Sequence, residues 1–224
     1  MRKIMTQFML MACMLCSPAF LVAGEEDGKK MSNSDKLKDP ASATETAPET
    51  FKVKFETTKG AFTILVHREW APLGVDRFYN LVKVGYFQDI AFYRVIEGFM
   101  AQFGSHGDPD INKKWMFSTV KDDPTTHSNL RGRITFANRG PNTRSNQFFI
   151  NLVNNDYLDR MGFAAFGEIL EDGMTVVDQL YADYGEGAPR GRGPHQGLLA
   201  KDGNKYLKEK FPELDYIKSA TFVD

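Results

Sequence analysis

The chain has 224 residues and a formal net charge of −1. It is long enough for one sizeable domain and an appendage, and no global charge draws it to nucleic acid or an anionic membrane surface. Phenylalanine is the commonest aromatic residue, with 18 copies, and both cysteines, Cys13 and Cys16, stand close to the N-terminus.

Arg2 and Lys3 precede a mostly apolar run, Ile4 to Leu15, and small residues follow at Ser17-Pro18-Ala19 and Val22-Ala23-Gly24. A positive start, a short apolar centre and small residues after it form an export signal, too short for a stable membrane span. Residues 1–24 are therefore read as a signal peptide, and cleavage after Ala19 or Gly24 leaves a mature chain without cysteine. A second reading stays open. Leu10-Met11-Ala12-Cys13 resembles a bacterial lipobox, which would make Cys13 a lipidated N-terminus and a membrane tether. Glu25 to Thr50 has no aromatic and almost no large aliphatic residue. Too little apolar surface is available there to offset ordering entropy, so this segment is expected to be a disordered linker.

From Phe51 the pattern changes. Phe51 to Phe55 alternates apolar and polar residues, Thr58-Lys59-Gly60 makes a turn, and Ala61 to Val66 returns as a second strand. A helix follows, with Pro72 in its first turn, Val75, Phe78, Leu81 and Val82 on one face, and Gly85 closing it. Short strands are predicted near Ala91–Ile96, Phe99–Phe103, Arg133–Ala137, Gln147–Leu152 and Ala164–Leu170. A second helix is predicted near Met174–Tyr181 and a last strand over Tyr216–Val223. Ser105 to His127 is read as a polar loop, Tyr184 to Leu199 as an insertion, and Lys201 to Phe211 as a short extra helix stopped by Pro212. Many short strands with two main helices point to an all-β barrel or sandwich, spanning residues 51–224 as one domain.

Two stretches carry the functional signal. Phe92 to Gln102 reads F-Y-R-V-I-E-G-F-M-A-Q, and Phe136 to Ile150 reads F-A-N-R-G-P-N-T-R-S-N-Q-F-F-I. Each sets polar groups that could reach one substrate among several apolar side chains. Together they closely resemble the cyclophilin family of peptidyl-prolyl cis-trans isomerases, and the resemblance runs from about Phe51 to the C-terminus. It implies a closed eight-stranded antiparallel β-barrel capped by two α-helices. It also implies proline-containing polypeptides as substrates, no cofactor, and a monomer.

The resemblance assigns residues as well. Arg94 matches the family's catalytic arginine, and Gln102 the glutamine that contacts substrate and supports it. Phe99, Met100, Phe149 and Leu158 match the proline socket, while Ala137, Asn138 and Gln147 line the peptide groove. Tyr157 stands where many members carry tryptophan, and Phe163 where many carry histidine, as in bacterial members. Tight binding of cyclosporin-type macrocycles, which use that tryptophan, is therefore not expected.

The chemistry suits these residue types. An X-Pro bond rotates against a barrier of about 18–20 kcal/mol. Lowering it requires a site that favours a twisted amide, whose nitrogen has regained a lone pair. A fixed cationic donor binds that state better than either planar isomer. His67, His106, His127 and His195 are scattered without metal-ligand spacing, and no nucleophile elbow, P-loop or dinucleotide fingerprint is present. The alternative function is a binding module that holds proline segments with turnover incidental.

Overall fold

The computed structural model describes residues 31–224. The expected signal peptide, Cys13 and residues 25–30 of the expected linker lie outside the described residues.

Nine strands form one antiparallel sheet. They are β1 (Thr50–Thr57), β2 (Ala61–His67), β3 (Ile90–Ala91), β4 (Arg94–Ile96), β5 (Met100–Phe103), β6 (Arg133–Phe136), β7 (Phe148–Asn151), β8 (Ala165–Ile169) and β9 (Tyr216–Val223). Their order is β3-β9-β1-β2-β8-β6-β7-β5-β4. The chain is thus mainly β, as expected, but the ladder is not the closed ring of eight. Its two ends, β3 and β4, are separated along the chain only by Phe92 and Tyr93. One bent run of backbone therefore pairs with β9 through Ile90 and Ala91 and with β5 through Arg94 to Ile96. Covalent continuity bridges the gap that hydrogen bonds leave.

Alternation along the strands sorts residues between two faces. Val53, Phe55, Ile64, Val66, Val95, Ala101, Phe103, Ile134, Phe136, Phe148, Ile150 and Phe166 all belong to one buried core. Most of its phenylalanines meet edge-on or tilted, with ring centroids 4.5 Å apart for Phe136–Phe148 and 5.1 Å for Phe78–Phe166, geometries their ring quadrupoles favour. Helix α2 (Pro72–Lys83) buries Val75, Phe78, Leu81 and Val82 against it, as the sequence predicts. The Asp123 carboxylate accepts from Leu73 N and Gly74 N at the start of that helix (3.0 and 2.8 Å).

Four regions differ from expectation. First, residues 31–50 are not a disordered linker. Helix α1 (Asn33–Leu37) has a Ser32 capping box, and a short 3₁₀ turn spans Pro40–Ser42. Polar side chains of the barrel hold this strap: Asn80 pairs with both backbone groups of Glu45, the Asp76 carboxylate accepts from Ala47 N, and Trp115 Nε1 donates to Leu37 O at 2.7 Å. Second, the presumed loop Ser105–His127 contains α3 (Pro109–Phe117), capped by Asp108, with Ile111 and Trp115 buried one turn apart. Third, the helix expected over Met174–Tyr181 is only α4 (Gly173–Val177). Fourth, the extra helix is longer than expected. It is α5 (Gln196–Lys210), broken at Gly203, where φ is +57°. Its Leu199 and Leu207 pack with Leu214 on Ala91 and Tyr93 in a small second core. That core shares the β3–β4 run with the barrel, so it is not an independent domain.

Candidate active site

The site lies on the face of β4, β5 and β7 opposite the barrel core. Register creates it. Arg94 on β4 sits directly across from Gln102 on β5, and Gln102 across from Phe149 on β7. Residues opposite one another in neighbouring strands share a face, so these side chains form one row. Ile96, Met100 and Asn151 form the next row. Met100, Phe149 and Leu158 are buried together, with Phe99, Ala137 and Phe163 packed around them. The Phe163 ring meets Phe149 edge-on at 5.8 Å.

A cavity of about 320 Å³ opens on this face. It brings together Arg94, Phe99, Met100, Gln102, Ala137, Asn138, Gln147, Phe149, Leu158 and Phe163, which is every sequence-predicted residue except one. Tyr157 does not line the cavity. The residue is 52% exposed and its ring stacks on Phe99 at 6.5 Å, so it supports the socket from outside.

The polar groups form a relay. Arg94 Nη1 donates to Gln102 Oε1 at 3.0 Å, and Gln102 Nε2 donates to Gln147 Oε1 at 3.2 Å. Gln147 Oε1 also accepts from the Tyr93 hydroxyl at 3.0 Å, and Gln147 Nε2 donates to Ser105 Oγ at 3.2 Å. Burial pushes the Tyr93 phenol well above its ordinary value, so it remains a donor. These bonds orient both glutamine amides and hold Gln102 as an acceptor toward the arginine. Ala137 N donates to Gln147 O at 2.9 Å, extending the β6–β7 pairing to the groove edge.

The turn Gly140–Thr143 shapes one wall. Thr143 lines the cavity, and its hydroxyl donates to Gly140 O (2.6 Å) and accepts from Arg139 N (2.8 Å). Beneath it the buried Arg144 guanidinium pairs with Asp123 at 3.0 Å, tying the wall to the start of α2.

Sequence reasoning missed one residue at the centre of the site. Glu186, from the insertion, takes Arg94 by two N–H groups: Nε to Oε1 and Nη2 to Oε2, each at 2.7 Å. Arg94 holds the Glu186 carboxyl below the usual carboxylate range. An acid beside Gly-rich loop residues, 92 positions from Arg94, carries no local signal of this pairing. Of the five guanidinium N–H groups, two serve Glu186, one serves Gln102, and a fourth points at the weakly accepting Met100 Sδ at 3.8 Å. One on Nη2 has no partner among the described residues.

Residues 52–192 match the model of the family described as cyclophilin-type peptidyl-prolyl cis-trans isomerase, and the chain belongs to that family of isomerases. Peptidyl-prolyl cis-trans isomerase B of Escherichia coli K12 is 32% identical over 160 residues, covering 67% of this chain and 93% of that one. Peptidyl-prolyl cis-trans isomerase-like 2 of Gibberella zeae is 34% identical over 154 residues, covering 66% of this chain and 25% of its own. The chain thus spans about a quarter of the length of that fungal relative. A crystal structure of a cyclophilin-type isomerase from Cryptosporidium parvum shares the fold, with a TM-score of 0.58 at 19% identity over 78% of this chain and 98% of that one. A second structure of that protein, in the presence of the dipeptide Ala-Pro, gives 0.57 at 20% identity over 77% and 99%.

Proposed function

We propose that this chain catalyses rotation about X-Pro bonds in polypeptides that fold outside the cytoplasm. One observation carries the isomerase reading: a charged donor, Arg94, stands on the wall of a cavity lined by Phe99, Met100, Phe149, Leu158 and Phe163. The apolar socket fixes the proline ring while the preceding residue swings. As the amide twists, its nitrogen gains a lone pair, and Arg94 offers an Nη2 N–H to it. The donor is in place before the reaction, so little reorganisation is needed at the barrier top.

The test is a protease-coupled X-Pro peptide assay with peptide binding measured separately. Arg94→Ala should lower turnover by roughly 10²–10³, the usual loss for one preorganised donor, with affinity changed far less. Weak binding with normal turnover of bound peptide would reduce Arg94 to a binding residue. The alternative reading, a module that binds proline segments with turnover incidental, has one observation in its favour: Glu186 already occupies two N–H groups of Arg94. Arg94→Ala with unaltered turnover would establish it.

The export reading rests on Arg2-Lys3 before an apolar run and on the small residues after it. Among the described residues no helix is long and apolar enough to cross a membrane. An intact mass of the mature chain separates cleavage after Ala19 or Gly24 from lipidation at Cys13. Uncleaved full-length protein in the cytoplasmic fraction refutes export. The same preparation, run on a sizing column, tests the expected monomer.

A further inference from the structure

We infer that Glu186 is a positioning residue for the isomerase site, holding the Arg94 guanidinium by its side so that the end of the fork is presented to the substrate amide. The inference rests on the reading of Arg94 given above.

The edge that Glu186 takes decides between positioning and blocking. A carboxylate that blocked the arginine would cover the end of the fork, Nη1 together with Nη2. Glu186 instead pairs with Nε and Nη2, the side of the plane, and Gln102 keeps its bond to Nη1. The guanidinium is thus fixed from two directions while an Nη2 N–H remains for the substrate. An arginine side chain has large rotamer freedom, and fixing it beforehand removes that entropy from the reaction barrier.

The loop that delivers Glu186 is built to stay in place. Glu186 Oε1 also accepts from Gly187 N, and Glu186 O accepts from Gly193 N, each at 2.8 Å. Ala188 N donates to Gly193 O at 3.0 Å, closing the loop. At Gly191 a Cβ would stand 2.2 Å from Glu186 O, so only glycine lets the loop fold over itself. The insertion is also anchored through Leu199 and Leu207 to Tyr93, the residue before Arg94. The segment that carries Glu186 and the strand that carries Arg94 are therefore joined by packing as well as by charge.

Three arms test this on the full chain. In the X-Pro peptide assay Glu186→Gln should lower kcat roughly tenfold with KM within about twofold, because orientation is lost and the socket is untouched. Gly191→Ala keeps the charge but displaces Glu186, and should reproduce the fall in kcat. Arginine-side-chain ¹H–¹⁵N spectra should show a sharp, slowly exchanging Nε–H signal that is absent in Arg94→Ala and broadened in Glu186→Gln. A rise in kcat/KM on Glu186→Gln would make the loop a latch and overturn the inference. Loss of the sharp signal without change in kcat would reduce the pair to a surface ion pair and overturn it equally. If the wild-type chain shows no isomerase turnover, the functional reading fails first, and the spectra still report whether Glu186 fixes Arg94.

Discussion

The strap formed by residues 31–50 gives the most direct test of how this barrel is held together. Asn80 on α2 is its main polar anchor. Its Oδ1 accepts from Glu45 N at 3.1 Å, and its Nδ2 donates to Glu45 O and Asp76 O, each at 2.7 Å. Asn80→Ala removes all three bonds and leaves the Glu45 backbone groups without this partner in a half-covered position. At about 1 kcal/mol per hydrogen bond to the strap, the loss is roughly 2 kcal/mol. For a domain of this size that lowers Tm by roughly 4–8 °C.

Where the loss originates can be checked by a double-mutant cycle. Deleting residues 32–48 from the full chain removes Glu45, the buried Ala47 and the partner of Trp115 Nε1 at Leu37 O. In that background Asn80 retains only its bond to Asp76 O, and water can replace it. Asn80→Ala should then cost well under half of its value in the intact chain, a coupling of roughly 1–2 kcal/mol. Thermal and urea unfolding followed by near-ultraviolet dichroism report both terms. Additive effects would show that the Asn80–Glu45 bonds contribute nothing net. A neutral deletion would restore the unordered linker that composition alone suggests.

Other expectations follow from the same contacts. At Gly203 φ is +57° and a Cβ would lie 2.0 Å from Gly107 O, so Gly203→Ala should destabilise the insertion by at least about 2 kcal/mol, read as early hydrogen exchange in residues 196–210. Burial lowers the His106 and His127 imidazoles below their ordinary value of 6.5. The unfolded chain then binds protons first, so stability should fall as pH drops through about 6.5 toward the folded values, and His106→Gln should flatten that slope in pH-dependent melts. Cyclosporin-type macrocycles should inhibit weakly, since the exposed Tyr157 offers a hydroxyl on the outside of the socket; Tyr157→Trp should tighten inhibition, and potent inhibition of the wild-type chain would contradict the assignment.

Legibility followed the range over which each element is determined. The β1–β2 hairpin, β9 and α2 are set by local periodicity, and the structure places them within a residue or two of expectation. Helix α3 had a local signal that the polar composition of its loop concealed: Asp108-Pro109 as cap and first turn, with Ile111 and Trp115 four residues apart on one face. The strap was illegible for a different reason. It is ordered by polar contacts from α2 and α3 as well as by the few apolar residues it packs on the core, Leu37, Ala43 and Ala47, so a rule about local hydrophobicity misjudges it. The second helix was overextended because Leu180 is buried without helix, while Tyr181 N finds Asp215 Oδ2 at 2.7 Å.

The site divides along the same line. Arg94, Gln102 and Phe149 form a row because two-residue alternation and antiparallel register leave no other arrangement once the strands pair. Glu186 depends on a loop whose path is fixed only by the folded molecule. Yet the two parts meet at consecutive residues. Tyr93 packs against Leu199 and Leu207 and donates to Gln147, while Arg94 is held by Glu186 and Gln102. The insertion therefore grips the strand at the two positions from which the amide relay and the cationic donor arise. A change in its packing should reach the chemistry through Tyr93 and Arg94 together, without any rearrangement of the proline socket.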